Sequence, residues 1–385
     1  MSKFDRPYIS GDEIQINQLY TLITGNIRSD EDYRWEWLQT WKGQGSIWLI
    51  FEDDRPESDQ LIGQYSLMPT PLSFFGKSFL TGRTENCMSH PDFRGKGMYF
   101  YHEKKYFEEA KKIYKAFFTT TGDVARGAPG KVRHKLGYRP YDYWVTYSLW
   151  LDIGEMSKEV YSKLPKFIRK WKFLGRFISA VISTLLLKLN GSSNAYEQDS
   201  FQDVGEDEAP FVDIEKLWKE NAVLYGISVD RTRAYMEWRI KDNPYISHRF
   251  LCKYEAGKLL GYIIYTIQDG IVHLVDILAD SKDKSIFKAL FDQLKYLSSS
   301  RGYSQMKCHT LSKNEFLIDR LRESKFLDYT NLISRMKKAK TEPSMQFFVY
   351  LSDEVELEQD VWDHQNWYFT DLVKEGRPYT GRPIE

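Results

Sequence analysis

The chain has 385 residues, more than one typical domain, so two domains are the first expectation. Basic and acidic residues balance at 54 each, which excludes the overall positive signature of a nucleic-acid-binding protein. Three cysteines (Cys87, Cys252 and Cys308) are few and odd in number and show no metal-ligand spacing with the histidines. With no secretory leader in Met1-Ser-Lys-Phe-Asp5, a reducing, cytoplasmic setting is expected.

Gly11 to Trp41 reads as helical, with Ile14, Leu19, Leu22, Ile23, Tyr33, Trp37 and Leu38 at the apolar positions. Trp48 to Phe51, Leu61 to Met68 and Leu72 to Leu80 read as strands between polar turns. A further short strand, Leu80 to Ser89, turns into a helix through Arg94-Gly-Lys-Gly97. That turn suits a pyrophosphate. A strand end, two small residues and a helix start align backbone N–H groups, and the helix dipole adds positive potential. Gly95 and Gly97 permit close backbone approach, and Arg94 and Lys96 are placed to pair with phosphate oxygens. Taken alone, a glycine pair at a strand-to-helix turn is equally an ordinary connection. Tyr99 to Tyr114 reads as the helix, with Tyr99, Tyr106, Ala110 and Ile113 at helical spacing; Lys115 to Thr121 follows as a strand. A loop with Gly127 and Pro129-Gly130 comes next, then Lys131 to Arg139. Tyr143 to Leu151 is expected to close the first domain.

The spaced pieces His90-Pro91, Arg94 to Gly97, Ala128-Pro129-Gly130 and Leu136-Gly137-Tyr138 resemble the GNAT acyltransferase superfamily over about Ile47 to Leu151. Its members move an acyl group from acyl-coenzyme A to an acceptor, usually an amine. The resemblance implies acetyl-CoA as acyl-donor cosubstrate and no metal. It places the coenzyme on Arg94, Gly95, Lys96, Gly97 and Met98, and on the backbone of Met88 and Ser89 along its arm. Two positions depart from the family pattern. Tyr99 stands where a Gly or Ala is usual, with bulk that would crowd the helix start or stack near the cofactor. Arg133 stands where many members carry a Tyr as general acid; an arginine cannot give up its proton near neutral pH but can stabilise a thiolate.

The connection beyond the first domain is basic. Val160 to Tyr196 holds no acidic residue, whereas Lys163, Lys166, Arg169, Lys170, Lys172, Arg176 and Lys188 are basic. Phe167, Trp171, Leu174, Ile178, Val181, Ile182, Leu185 and Leu189 fall on one helical stripe, which is too short and too interrupted by Arg176 for a membrane-spanning helix. Three readings stand: a helix packed on the domains, an interfacial helix making peripheral contact with an anionic membrane through Phe167 to Leu189, or a partner-binding helix.

The second half repeats the architecture. Ala209 to Ala222 and Arg231 to Ile240 read as helices, and Phe250 to Tyr254, Leu259 to Ile267 and Ile271 to Leu278 as strands. Ser285 to Ser300 is expected as a helix, Gln305 to Thr310 as a strand, Asn314 to Ser324 as a helix, Lys325 to Tyr329 as the start of a strand, and Trp367 to Leu372 as a returning last strand. The expected fold is therefore mixed α/β: two tandem GNAT-like domains, each a mixed, mostly antiparallel sheet flanked by helices. The first spans 1–155 and carries the coenzyme loop; 156–198 is a basic amphipathic linker; 199–385 is the second domain. That second copy has Ala279-Asp-Ser-Lys-Asp-Lys284 where the first has its glycines, and the acids at 280 and 283 repel phosphate. The Tyr235-Met-Glu-Trp-Arg239 and Asn243-Pro244 stretch resembles one that recurs in tandem members of the family.

Acyl transfer needs a neutral acceptor amine and a polarised thioester carbonyl. Period-two alternation puts Glu85, Cys87 and Ser89 on one strand face, making Glu85 the general-base candidate; a surface salt bridge explains the same carboxylate. His90 and His134 are alternative bases, but His90 is expected to shape its turn and His134 to lie on a solvated helix face; Cys87 is expected to be a buried thiol. The function expected is an N-acetyltransferase acting on an amine, with an amino sugar or cell-envelope precursor as acceptor class. The rival is a catalytically silent binding or scaffold protein docked at a membrane surface.

Overall fold

The structure, a computed structural model, describes residues 3–56, 59–122, 127–164, 166–189, 200–280, 283–328, 345–352, 355, 360–374 and 376–379. Residues 190–198 of the expected linker and Tyr329 lie outside the described residues, as do the side chains of Phe167, Leu185 and Leu189.

In the first half, strands β1 (Lys3–Pro7), β2 (Ser46–Glu52), β3 (Leu61–Phe74), β4 (Lys77–Thr84), β5 (Met88–Ser89), β6 (Ala116–Gly122) and β7 (Arg139–Trp150) are accompanied by helices α1 (Glu13–Thr24), α2 (Asp30–Tyr33), α3 (Met98–Ala110) and α4 (Ala128–Lys135). A hairpin of helices α5 (Ile153–Lys163), α6 (Lys166–Lys170) and α7 (Lys172–Leu189) follows. The second half contributes β8 (Phe201–Gly205), α8 (Phe211–Asn221), β9 (Ile227–Val229), α9 (Arg233–Met236), β10 (Arg249–Glu255), β11 (Lys258–Gln268), β12 (Ile271–Ala279), α10 (Lys284–Ser300), β13 (Gln305–Leu311), α11 (Glu315–Glu323), β14 (Leu327–Asp328), β15 (Met345–Leu351) and β16 (Trp367–Tyr368).

The main sheet runs β1-β2-β3-β4-β6-β15-β7-β13-β12-β11-β10-β8. Among the described residues, only β4 with β6, β12 with β13, and the short β9 with β16 pair in parallel. Each half contains the same series: four antiparallel strands, then a parallel neighbour, then an inserted strand. The inserted strand is exchanged between halves. β15 enters the first sheet between β6 and β7, while Trp144 to Trp150 of β7 leaves that sheet to pair with β13 and β14 of the second. Tyr143 to Leu151 therefore does not close the first domain; it bridges the two. Units that are consecutive along the chain, 1–155 and 199–385, interleave in space. One apolar cluster accordingly joins Ile16, Leu72 and Phe118 to Ile264, Leu290 and Phe369.

Strand boundaries differ from expectation in several places. Leu72 to Leu80 is not one strand: Phe75 and Gly76 take φ of 51° and 85°, a tight hairpin turn that joins β3 to β4. β3 also runs straight through Pro69 and Pro71. The carbonyls of these prolines face away from β4, accepting from the Trp41 indole at 2.8 Å and the Asp230 amide at 2.9 Å. Their missing N–H groups point to that same side, beyond the end of the β2 ladder at Leu67 and before the β9 pairing that begins at Leu72. Trp367 to Leu372 forms only the two-residue β16 beside β9, followed by a 3₁₀ turn over Asp371–Val373.

Candidate active site

β4 and β6 pair in parallel from Thr81 opposite Ala116 to Arg83 opposite Phe118, and then part. Asn86, with φ of 49°, turns the chain out of β4, and Met88 and Ser89 pair instead with Gln64 and Gly63 of β3. The hydrogen bonds of this segment run to β3. The amides of Glu85 and His90 donate to Ser66 and Ile62 at 3.2 and 2.9 Å; Ser66 Oγ and Gln64 Nε2 donate to the carbonyls of Glu85 and Asn86 at 2.6 and 3.1 Å. A wedge thus opens between β4 and β6. The alternation expected to align Glu85, Cys87 and Ser89 is interrupted at Asn86.

The loop that follows is held at both ends. Nδ1 of His90 accepts the Asp92 amide at 3.3 Å and the ring packs edge-on to Phe93, so His90 fixes the turn. Arg94 Nε donates to the Ser89 carbonyl at 3.2 Å. Gly97 stands at the N-cap of α3 with φ of 76°, a left-handed conformation that any other residue adopts only under strain, and it provides no capping side chain. A Cβ at Gly95 would meet nothing within 4 Å. Arg94, Gly95, Lys96 and Gly97 are exposed and Met98 is half-buried, so the first-turn N–H groups of α3 face an open, basic loop.

Beneath this loop lies a buried polar cluster. Arg133 of α4 is ion-paired with Glu103 of α3, and neither side chain is more than 5 % exposed. Burial works against the Arg133 charge, yet neighbouring Cys87, Tyr99, Tyr138 and Tyr65 hold its pKa above the ordinary value. Tyr99 does not fold over the loop; its hydroxyl is buried against the Cys87 thiol, and burial pushes its pKa up. Tyr138, pushed up by burial to about 12, hydrogen-bonds Thr84 Oγ1 at 2.9 Å. His134 is exposed on α4. Ser89 Oγ and Asn86 Nδ2 are buried and make no hydrogen bond.

Glu85 is buried and paired with Arg83, whose guanidinium also donates to the carbonyl of Val373. Arg83 precedes Glu85 by two residues and so shares its strand face, a signal the sequence carried. Nothing local in the chain marks what packs above them. Residues 371–374 and 376–379 strap the two halves together. Asp371 accepts from His309 Nδ1 at 2.7 Å and from Lys374 at 2.6 Å; although burial works to raise its pKa, these two partners hold it well below the usual carboxylate range. Tyr379 stacks on His273 and His309, with ring centres 4.0 and 5.7 Å away. Arg377 forks onto Glu36 at 2.7 and 2.9 Å, and buried Arg239 donates to the carbonyls of Leu372 and Lys374. These residues come from β12, β13, two π-helical turns and the tail, so no sequence spacing could announce them.

The equivalent place in the second half is closed. β12 and β13 part after Leu274 and Cys308, but Tyr225 fills the opening, its hydroxyl accepting the Ala279 amide at 3.1 Å and donating to the Ala279 carbonyl at 2.7 Å. Tyr368 donates to the Ile277 carbonyl at 2.6 Å. The N-terminus of α10 is capped by Asp283, which accepts the Ser285 amide at 2.8 Å. A surface cleft of about 690 Å³, lined by Trp150, Glu155, Glu159, Asp269 and Lys307, lies between α5 and the starts of β12 and β13 and does not border the Arg94–Gly97 loop.

No family profile matches the sequence, and no curated protein matches it. Solved structures do. A probable N-acyltransferase from Enterococcus faecalis superposes with a TM-score of 0.56 at 13 % identity, over 91 % of this chain and 72 % of its own. A tandem GNAT protein from the clavulanic acid biosynthesis pathway superposes with a TM-score of 0.53 at 13 % identity, over 91 % of this chain and 98 % of its own. The fold is that of a tandem GNAT protein. A GCN5-related N-acetyltransferase from Anabaena variabilis aligns at 12 % identity with a TM-score of 0.54, over 91 % of this chain and 73 % of its own. Within this tandem GNAT fold, the wedge between β4 and β6 is the open copy and the wedge between β12 and β13 the filled one.

Proposed function

We propose that the chain is an acyl-CoA-dependent N-acyltransferase, with acetyl-CoA as donor and an amine as acceptor, working by direct attack in a ternary complex. The observation that supports it most is the uncapped, glycine-lined N-terminus of α3 at the parting of β4 and β6, beside Arg94 and Lys96. The second half shares the architecture and has both features closed.

The donor's pyrophosphate would be held by the backbone of Gly95 to Met98 with Arg94 and Lys96, and its arm by the backbone of Met88 and Ser89. The unpartnered Ser89 hydroxyl and Asn86 amide fit a polar arm. The acceptor nitrogen attacks the thioester carbon, the C–S bond breaks, and the amine proton passes to Glu85, directly or through water. Arg83 orients that carboxylate. Arg133 cannot protonate the departing thiolate; its fixed positive charge beneath the wedge stabilises it.

Titration calorimetry with acetyl-CoA tests the reading. The chain is expected to bind with micromolar affinity, and Gly97→Glu to lose binding. Absence of binding by the unaltered chain would overturn the proposal in favour of a silent binding role. With binding in hand, amino sugars and small amines are the first acceptors to screen. Glu85→Gln is then expected to lower kcat at saturating acceptor by about 10²-fold or more; unchanged turnover would remove Glu85 as the base.

A further inference from the structure

The helical hairpin between the halves is built inside out. On α7, Gly175, Ser179 and Ser183 face the protein, and Ile182 packs on Trp150, Met156 and Val160. A Cβ on Gly175 would lie 2.8 Å from the Tyr161 ring, and Ser157 donates to Ser179 at 3.3 Å. Small residues therefore seat α7 closely on α5. The large apolar residues point the other way: Trp171 is 72 % exposed, Phe173 88 %, Leu174 48 %, Phe177 61 % and Val181 42 %. A helix that only packed on its own protein would bury these and expose the serines.

The charge around this face is one-sided. Lys170, Lys172 and Arg176 are exposed beside the apolar stripe, and no acidic residue occurs from Val160 through Leu189. Two copies meeting face to face would bring like charges together, which disfavours a self-complementary dimer. An anionic bilayer satisfies both properties, taking the aromatic side chains among its acyl chains and the cations at its headgroups. The helix has 18 residues, and no helix among the described residues is long and apolar enough to cross a membrane, so the geometry is that of a helix lying on a surface.

We propose that α6 and α7 form an interfacial anchor that docks the protein on anionic lipid membranes through Trp171, Phe173, Leu174, Phe177 and Val181, with Lys170, Lys172 and Arg176 contacting the headgroups. The proposal is independent of acyl transfer.

The full chain would be co-sedimented with vesicles of phosphatidylcholine alone and of phosphatidylcholine mixed with phosphatidylglycerol. Binding is expected to the mixed vesicles only and to weaken with salt. Phe173→Glu with Phe177→Glu should abolish it while the thermal melt is unchanged, because both rings are exposed. Lys170→Ala, Lys172→Ala and Arg176→Ala should each weaken it by about fivefold at low salt. Equal binding to both vesicle types, or to neither, would overturn the proposal. So would light scattering that showed a dimer dissociated by Phe177→Glu without vesicle binding, which would make this face a contact between copies.

Discussion

Trp35 and Trp238 each donate an indole N–H to the other's main-chain carbonyl, at 2.9 and 3.1 Å, with their rings stacked 5.3 Å apart. The two residues are equivalent. Ser29 and Thr232 cap α2 and α9 through the amides of Asp32 and Tyr235, and each short helix runs into a five-residue π-helical turn with the tryptophan second. The residues that follow, Glu36 and Arg239, both grip the tail, one through Arg377 and the other through the carbonyls of Leu372 and Lys374. The pair marks the pseudo-two-fold axis of the tandem fold, and the strap crosses close to it.

Because each indole satisfies a carbonyl of the other turn, Trp35→Phe and Trp238→Phe should each cost about 1–3 kcal/mol, the loss of one buried hydrogen bond and the orphaning of its acceptor. The two bonds sit in one stacked unit, so the double variant should cost less than the sum of the singles. A urea-denaturation double-mutant cycle measures this; strict additivity would mean that the rings act separately.

The pair between Arg133 and Glu103 is buried on both sides, so removing one partner strands the other charge. Arg133→Met is expected to destabilise by about 3–5 kcal/mol, and the double variant with Glu103→Met to recover most of that loss. If Arg133 also steadies the thiolate, the double variant should regain its melting temperature without regaining kcat. Recovery of both together would confine Arg133 to a structural role.

The strap gives a third expectation. Arg377 reaches Glu36 through two hydrogen bonds and Tyr20 through a third at 2.7 Å, while Arg28 holds the other side of Glu36 at 3.0 Å. Arg377→Met should therefore leave Glu36 paired and cost only about 1–3 kcal/mol. It should also free the tail, seen as faster amide exchange over Asp371 to Tyr379. Unchanged exchange would mean that Tyr379 and Arg239 hold the strap unaided.

Local features of the fold were legible in the sequence because local rules set them. The hairpin turns at Ala256-Gly257 and Asp269-Gly270 take positive φ, which Gly257, Asp269 and Gly270 suit, and Asn314 caps α11 as its position before an apolar period suggests. The Arg94–Gly97 loop was visible for the same reason. What escaped was set by distant partners. Met345 to Leu351 is an apolar run with strand propensity, yet nothing local tells that it enters the sheet of the other half. The polar patch of His273, His309, Asp371 and Tyr379 assembles only after that exchange. Glu85 and Arg83 could be placed on one strand face; the closing of that pair by the tail could not.

Acid should destabilise the protein from about pH 6.5 downward. Burial lowers the pKa of His102 to about 4 and that of His273 to about 3, against about 6.5 in an unfolded chain. Between those values the unfolded chain binds a proton at each site and the native protein does not, so stability rises with pH across that window. The contribution of both histidines is complete above about pH 6.5. It falls by as much as about 1.4 kcal/mol per pH unit per histidine as pH drops toward the folded values. Asp371 acts in the same sense lower down, its carboxylate being held below the usual range by His309 and Lys374. Urea denaturation at about pH 7 and about pH 5 should show the loss, and His102→Asn should make the dependence shallower by the share of one histidine. An identical slope in that variant would place the acid sensitivity elsewhere.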